Sequence, residues 1–212
     1  MFAVLERLDT DILVLPETWV PHAGEGVVDR LRAAGYAVEV APWATMDRSG
    51  SKPEIASPGE GSWSLAVASR CRILARRDLP LPRTLFDPAG PRVAIQCTLD
   101  VSGTTVEMVG LHTSSRLWWG APFIQLNALR RRLPRFDGPA FLAGDFNLWG
   151  PWVERLLPGW ERTVRGRTYP SHRPHSQIDH VLVNRRLTFV SGEVVDDHRH
   201  SDHRPIRVRL RA

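Results

Sequence analysis

The sequence predicts an α/β fold in which buried strands carry polar side chains to their carboxyl ends. Three observations lead there. The apolar run Phe141-Leu142-Ala143 follows Gly138-Pro139 and stops on Gly144-Asp145-Phe146-Asn147, as a strand covered on both faces does. Asp11-Ile12-Leu13-Val14-Leu15 reads the same way and stops at Pro16-Glu17. Between such runs lie stripes with helical spacing, Val27, Val28, Leu31 and Ala34 in one and Phe123, Leu126, Leu129 and Leu133 in another. Open α/β sheets place their chemistry at the carboxyl ends of core strands.

In order, residues 2–8 pattern as a helix end, with Phe2, Leu5 and Leu8 on one side, and Thr10-Asp11 break it. The strand 11–15 follows, and then the helix 26–34, stopped by Gly35. Residues 36–40 read as an edge strand. Residues 44–61 are rich in Gly, Ser and Pro and predict a long loop, either a lid or a substrate rim. Residues 63–68 and then Ile73-Leu74 return to strand. Pro80, Pro82, Pro88 and Pro91 exclude a central strand over 78–91. Residues 93–99 and 104–111, joined by Asp100-Val101-Ser102-Gly103, predict an antiparallel hairpin. The helix 123–133 ends in Arg130, Arg131, Arg132 and Arg135, a solvated end that complements the helix dipole. Residues 151–157 form a short helix with Pro151 in its first turn. A core strand at 178–183, a strand starting near Val194-Val195 and a half-exposed strand at 206–210 complete the chain.

The chain has 212 residues, consistent with one domain spanning 1–212. That length buries a core without disulfides or structural metals. It carries 28 basic against 23 acidic residues, nearly all the basic ones Arg. Arg suits bidentate contacts to phosphate. The net charge of +5 is modest and interleaved with acids, so it is weak support for an anionic substrate and keeps a small or lipid phosphate ester close behind a nucleic acid. Cys71 and Cys97 sit in apolar runs and are expected as buried free thiols. No apolar run reaches membrane-span length. Glu6, Arg7, Asp9 and Asp11 come too early for a secretory signal, so a cytoplasmic protein, and a monomer, is expected.

Asp145 and Asn147 are hard oxygen ligands suited to a phosphate and its metal. Glu17, at the mouth of another strand, is a second candidate ligand, although on these residues alone a solvated strand-end Glu explains it better. His112, Asp179, Asp202 and His203 also close or follow strand-like runs. His172, His175, His198 and His200 crowd the last third, but no thiolate joins them, and a surface loop explains them better than zinc. His180 should face away from Asp179 and serve the core. Trp118, Trp119, Trp149 and Trp152 follow two of these motifs, where they either stack on a substrate or wall the loops. Arg116 and Arg204 are candidate phosphate contacts on the rim.

Several motifs then resemble the endonuclease/exonuclease/phosphatase superfamily, the deoxyribonuclease-I-like fold. Leu15-Pro16-Glu17 resembles its Leu-Gln-Glu, and Ala66-Val67-Ala68-Ser69-Arg70 its small-residue strand ending in Ser-Arg. Gly110-Leu111-His112-Thr113 resembles its His strand. Gly144-Asp145-Phe146-Asn147, Ile178-Asp179-His180 and Ser201-Asp202-His203-Arg204-Pro205 match three more, in order. The resemblance implies a four-layer sandwich of two mostly antiparallel β-sheets flanked by helices, and a Mg²⁺- or Mn²⁺-dependent hydrolase of a phosphodiester or phosphomonoester. It implies that Glu17 holds the metal with Asp202 assisting. Asp145 and Asn147 position the attacking water and a phosphoryl oxygen, and His112 donates to another oxygen. His203 pairs with Asp179 as a general base or an electrostatic clamp. Apart from the resemblance, Arg116, Trp118 and Arg204 are the candidate substrate contacts by position alone, and the substrate is open among DNA, RNA, lipid and small phosphate esters. The family opens with a strand bearing an Asn beside the metal Glu, and this chain is expected to lack it. The alternative expectation is therefore a catalytically impaired binding protein on the same fold.

Overall fold

The computed structural model describes residues 2–45, 61–84, 87, 91–115, 120–197 and 201–212. The predicted loop over 44–61 falls mainly outside these residues, as do Arg116, Trp118, Trp119, His198 and His200.

The elements follow the order α1 (Phe2–Leu8), β1 (Ile12–Pro21), α2 (Val27–Ala33), β2 (Ala37–Thr45), β3 (Gly61–Ser69), β4 (Arg72–Pro80), β5 (Val93–Val101) and β6 (Thr104–His112). Then come α3 (Ala121–Arg132), β7 (Ala140–Asp145), α4 (Gly150–Leu156), β8 (Glu161–Arg162), β9 (Asp179–Val183), β10 (Thr188–Val194) and β11 (Ile206–Arg211). A six-stranded sheet runs β4-β5-β6-β7-β9-β8, a three-stranded sheet β1-β3-β2, and β10 pairs with β11. The β6–β7 pair is parallel and every other ladder is antiparallel.

Strand alternation builds the layers. In β6 and β7, Val109, Leu111 and Leu142 pack with Leu126 and Leu129 of α3 and Val153 of α4. The intervening Val106, Met108, Phe141 and Ala143 turn the other way and meet Leu65 and Val67 of β3. On the far side of β3, Ala68 packs with Leu13 of β1, Leu31 of α2 and Leu5 of α1. The order is thus helices, six-stranded sheet, three-stranded sheet, helices. A side-chain period of two puts successive residues on opposite faces, so each central strand serves two cores.

Two expectations change. β1 does not end at Pro16; it continues to Pro21 through a break in register between Leu15 and Thr18. The strand expected from Val194 begins instead at Thr188 and ends at Val194. Its residues are exposed except at the last position, so the sequence TFVSGEV carries no burial alternation to read.

Between β1 and β11 lies a cleft of about 940 Å³. Ile12 to Pro16 of β1 form one wall and Ile206 to Leu210 of β11 the other, with Val106, Phe141, Ala143 and Val181 of the large sheet among its lining. β1 pairs only with β3 and β11 only with β10 among the described residues, so each turns an edge without a ladder partner to the cleft.

Candidate active site

Register brings the polar strand ends together. His112 closes β6, Asp145 closes β7 and Asp179 opens β9. His112 pairs across the parallel ladder with Asp145, which pairs across the antiparallel ladder with Asp179. Neighbouring strands lie about 4.8 Å apart, so three functional residues stand in a row on adjacent strands.

Gly144 makes the turn into this row. Its φ is 140°, and a Cβ there would lie 1.9 Å from the Leu111 carbonyl oxygen. Asn147 adopts the left-handed φ of 47°, which Asn tolerates better than most residues. Its backbone N–H donates to Asp145 Oδ1 at 2.7 Å, and its side-chain amide donates to Asp145 Oδ2 and the Thr113 carbonyl, each at 3.0 Å. Both Asp145 oxygens are thereby held from one side. Burial, and then the charge of Asp179, push the Asp145 carboxyl well above the usual range, against the charge of His203 and the Asn147 N–H.

The two histidines are set up in opposite ways. His203 Nδ1 donates to Asp179 Oδ2 at 2.8 Å, and its ring packs on Tyr169 with centroids 4.9 Å apart. Burial opposes its charge, but the hydrogen bond to Asp179 and the carboxylates of Asp179, Asp145 and Asp202 outweigh that, and its pKa rises to about 9. His112 is buried, and burial together with the nearby Arg92 and His203 charges holds it well below the usual histidine range. Its Nε2 lies 3.6 Å from Asp145 Oδ2 and 3.8 Å from Glu17 Oε1.

Glu17 sits at the register break of β1 with a left-handed φ of 54°. Its carboxylate is about half exposed and meets the site through His112. Asp145, Asp179 and His203 each offer a ligand atom, all within 4.8 Å of one another. Glu17 and Asp202, the residues expected to hold the metal, are not in that tight group. Asp202 is exposed, beside His203. Arg204 is not a free rim cation: its Nε donates to the Ser171 carbonyl at 2.7 Å and its Nη2 pairs with Asp196 at 3.0 Å. It ties the 168–171 segment to the 201–204 turn, helped by Ser171 Oγ donating to the Ser201 carbonyl at 2.7 Å. His180 faces away as expected, packing on Phe146 with its Nε2 2.9 Å from the Leu148 carbonyl oxygen. Trp149 and Trp152 are exposed, Trp152 edge-on to Phe123.

Sequence reasoning missed several supports. Thr113 donates through Oγ1 to the Phe146 carbonyl at 2.6 Å, joining the His strand to the Asp strand; its place directly after His112 was an available signal. Tyr169, Trp43 and Arg92 had none, since each arrives from a distant segment.

Residues 2–203 match the family model described as Endonuclease/Exonuclease/phosphatase family. The chain belongs to that family. Solved structures agree on the fold. An endonuclease/exonuclease/phosphatase from Beutenbergia cavernae is 22% identical with a TM-score of 0.76, over 99% of this chain and 64% of that one. The chain thus spans about 64% of that neighbour's length. A mannosyl-6-phosphatase from Bacteroides thetaiotaomicron is 17% identical, TM-score 0.73, over 100% of this chain and 89% of its own. A 3' phosphatase from Neisseria, bound to product DNA hairpin, is 19% identical, TM-score 0.65, over 99% and 94%. No curated protein matches the chain.

Proposed function

We propose that this protein is a metal-dependent phosphoesterase whose centre is built from Glu17, His112, Asp145, Asn147, Asp179, Asp202 and His203. The observation that carries the reading is the row at the strand ends: Asp145, Asp179 and His203 within 4.8 Å, with His112 beside Asp145. Family neighbours named as phosphatases support it.

The donor set fits a hard divalent cation. The Asp145 carboxyl is raised first by burial and then by the charges of Asp179 and, less, Glu17, and a cation would relieve the anionic part of that crowding. Carboxylate oxygens favour Mg²⁺ or Mn²⁺ over zinc. Glu17, half exposed at its bulge, and Asp202, exposed beside His203, would hold the ion, which when bound supplies charge relief at the phosphoryl oxygens.

The chain's own residues do the rest. Asp145, oriented by two donors from Asn147, accepts a proton from an attacking water as the water oxygen bonds to phosphorus, the ester P–O bond breaks, and the leaving oxygen takes a proton from solvent. His112 Nε2 donates to a phosphoryl oxygen. His203, charged and held by Asp179, stabilises negative charge on the phosphoryl group as a clamp; its raised pKa favours that role over general base at neutral pH. The substrate is a phosphodiester or phosphomonoester. The dispersed arginines favour a small or lipid phosphate ester over a nucleic acid, which would ask for a basic groove.

A second reading, a binding protein with impaired turnover, draws on one observation: beside the open cleft, the strand of Glu17 is paired on one side only among the described residues. Hydrolysis of bis-p-nitrophenyl phosphate separates the two. With Mg²⁺ or Mn²⁺ present, turnover is expected and chelator abolishes it; Asp145→Asn and His203→Ala each lower it at least about a hundredfold, the scale for positioned acid–base or electrostatic groups. Full activity in chelator removes the metal, and a protein that hydrolyses nothing across a panel of DNA, RNA, phosphoinositide and sugar phosphate leaves the binding reading.

A further inference from the structure

Arg92 is a buried cation beside the site. It precedes β5 and is only 5% exposed. Its guanidinium lies over the indole of Trp43, 3.7 Å from the ring centroid, with Asp87 facing Nε at 3.5 Å. Its Nη1 lies 3.2 Å from His112 Nδ1. Trp43 also packs edge-on against the His112 ring, centroids 5.6 Å apart.

The chemistry of the contact leaves one arrangement. A guanidinium has donors and no acceptor, and it stays protonated in proteins. Nδ1 of His112 therefore accepts, and it can do so only without a proton of its own. The ring proton then resides on Nε2, the atom that faces Asp145 Oδ2 at 3.6 Å and Glu17 Oε1 at 3.8 Å. The tautomer of a histidine is set by the hydrogen bond its other nitrogen makes. Here the partner is a cation. At His203 it is a carboxylate, Asp179, and Nδ1 donates. The two histidines thus receive opposite instructions from buried partners of opposite charge.

We propose that Arg92 is a positioning residue that locks His112 as the neutral Nε2–H tautomer, so that His112 serves the site as a fixed hydrogen-bond donor and never as a proton acceptor. The part of this that concerns turnover rests on the phosphoesterase reading; the tautomer does not. Trp43 completes the device by covering the guanidinium and bracing the imidazole.

The test is a two-bond ¹⁵N–¹H correlation spectrum of the histidine-labelled protein, with the His112 signals assigned by their loss in His112→Gln. In the wild type, His112 is expected to show a protonated Nε2 and an unprotonated Nδ1. Arg92→Met keeps the apolar cover of Trp43 and removes the donor. It is expected to give averaged or reversed His112 signals and to lower kcat at least about tenfold with KM within about twofold. Arg92→Lys, which restores a single donor, is expected to recover the wild-type pattern in part. A protonated Nδ1 in the wild type, or unchanged His112 signals in Arg92→Met, overturns the proposal. The wild-type spectrum alone decides the tautomer if Arg92→Met does not fold. A spectrum as expected from a protein without hydrolytic activity would sink the functional reading and leave the tautomer standing.

Discussion

His203 shows how a single residue couples the site to pH. Its pKa is raised to about 9, above the usual 6.5, because the bond to Asp179 and the surrounding carboxylates outweigh the burial that opposes its charge. Folding therefore favours the protonated ring. A group raised in the folded state contributes stability that is fully present below its unfolded pKa and lost as the pH climbs through its folded pKa. The contribution is thus complete below about pH 6.5 and fades between there and about 9. The gap in urea midpoint between wild type and His203→Gln is expected to be widest near pH 6 and to shrink as the pH passes 9. A constant gap would show that the imidazolium–carboxylate pair contributes nothing to stability. The pairing of His203 with Asp179 was foreseeable from the motifs. The holding of His112 by Arg92 was not, because Arg92 sits at a strand start with nothing in its neighbours to mark a partner on the next strand.

At the scale of the element, the strand β7 and its exit carry the site. Gly144 has a φ of 140° and a backbone neighbour where a Cβ would fall, the Leu111 carbonyl oxygen at 1.9 Å. The neighbour is main chain in the centre of a sheet and cannot swing aside. Gly144→Ala is expected to cost about 3 kcal/mol or more, the sum of overpacking and backbone strain. Gly103→Ala is the control. Its φ is 86° and nothing lies within 4 Å of its Cβ position, so only the conformational part applies, about 1 kcal/mol. Equal losses in chemical denaturation would refute the steric account. Element identities were legible where burial imposed a period: β7, β9, the β5–β6 hairpin and α3 all fall where their apolar spacing placed them. Legibility failed at β10, whose exposed residues obey no period, and at β1, where Glu17 sits on a bulge inside the strand and not beyond its end.

Across the whole molecule, the unequal sheets set the pattern of stability. The six-stranded sheet is sandwiched between two cores, whereas β1 and β11 each face the cleft with one edge. Backbone groups on an edge exchange with water through small local openings. Amides of the central strands β6 and β7 are expected to be the slowest to exchange, and cleft-facing amides of β1 and β11 faster by at least about tenfold. Uniform protection across β1 and β7 would mean that the cleft is closed in solution.

The sequence by itself determined which segments become core strands and which polar residues end them. Burial writes its period into local residue order, and Gly-Asp-Phe-Asn and Ser-Asp-His-Arg-Pro are contiguous motifs. Tertiary structure alone decided how those ends meet. The register of β6, β7 and β9 sets His112, Asp145 and Asp179 side by side, and the fold brings Trp43 and Arg92 beneath His112 while Arg204 turns inward to Ser171 and Asp196. Those contacts join residues far apart in the chain, and no local pattern specifies the partner of a side chain whose neighbour is supplied by another strand.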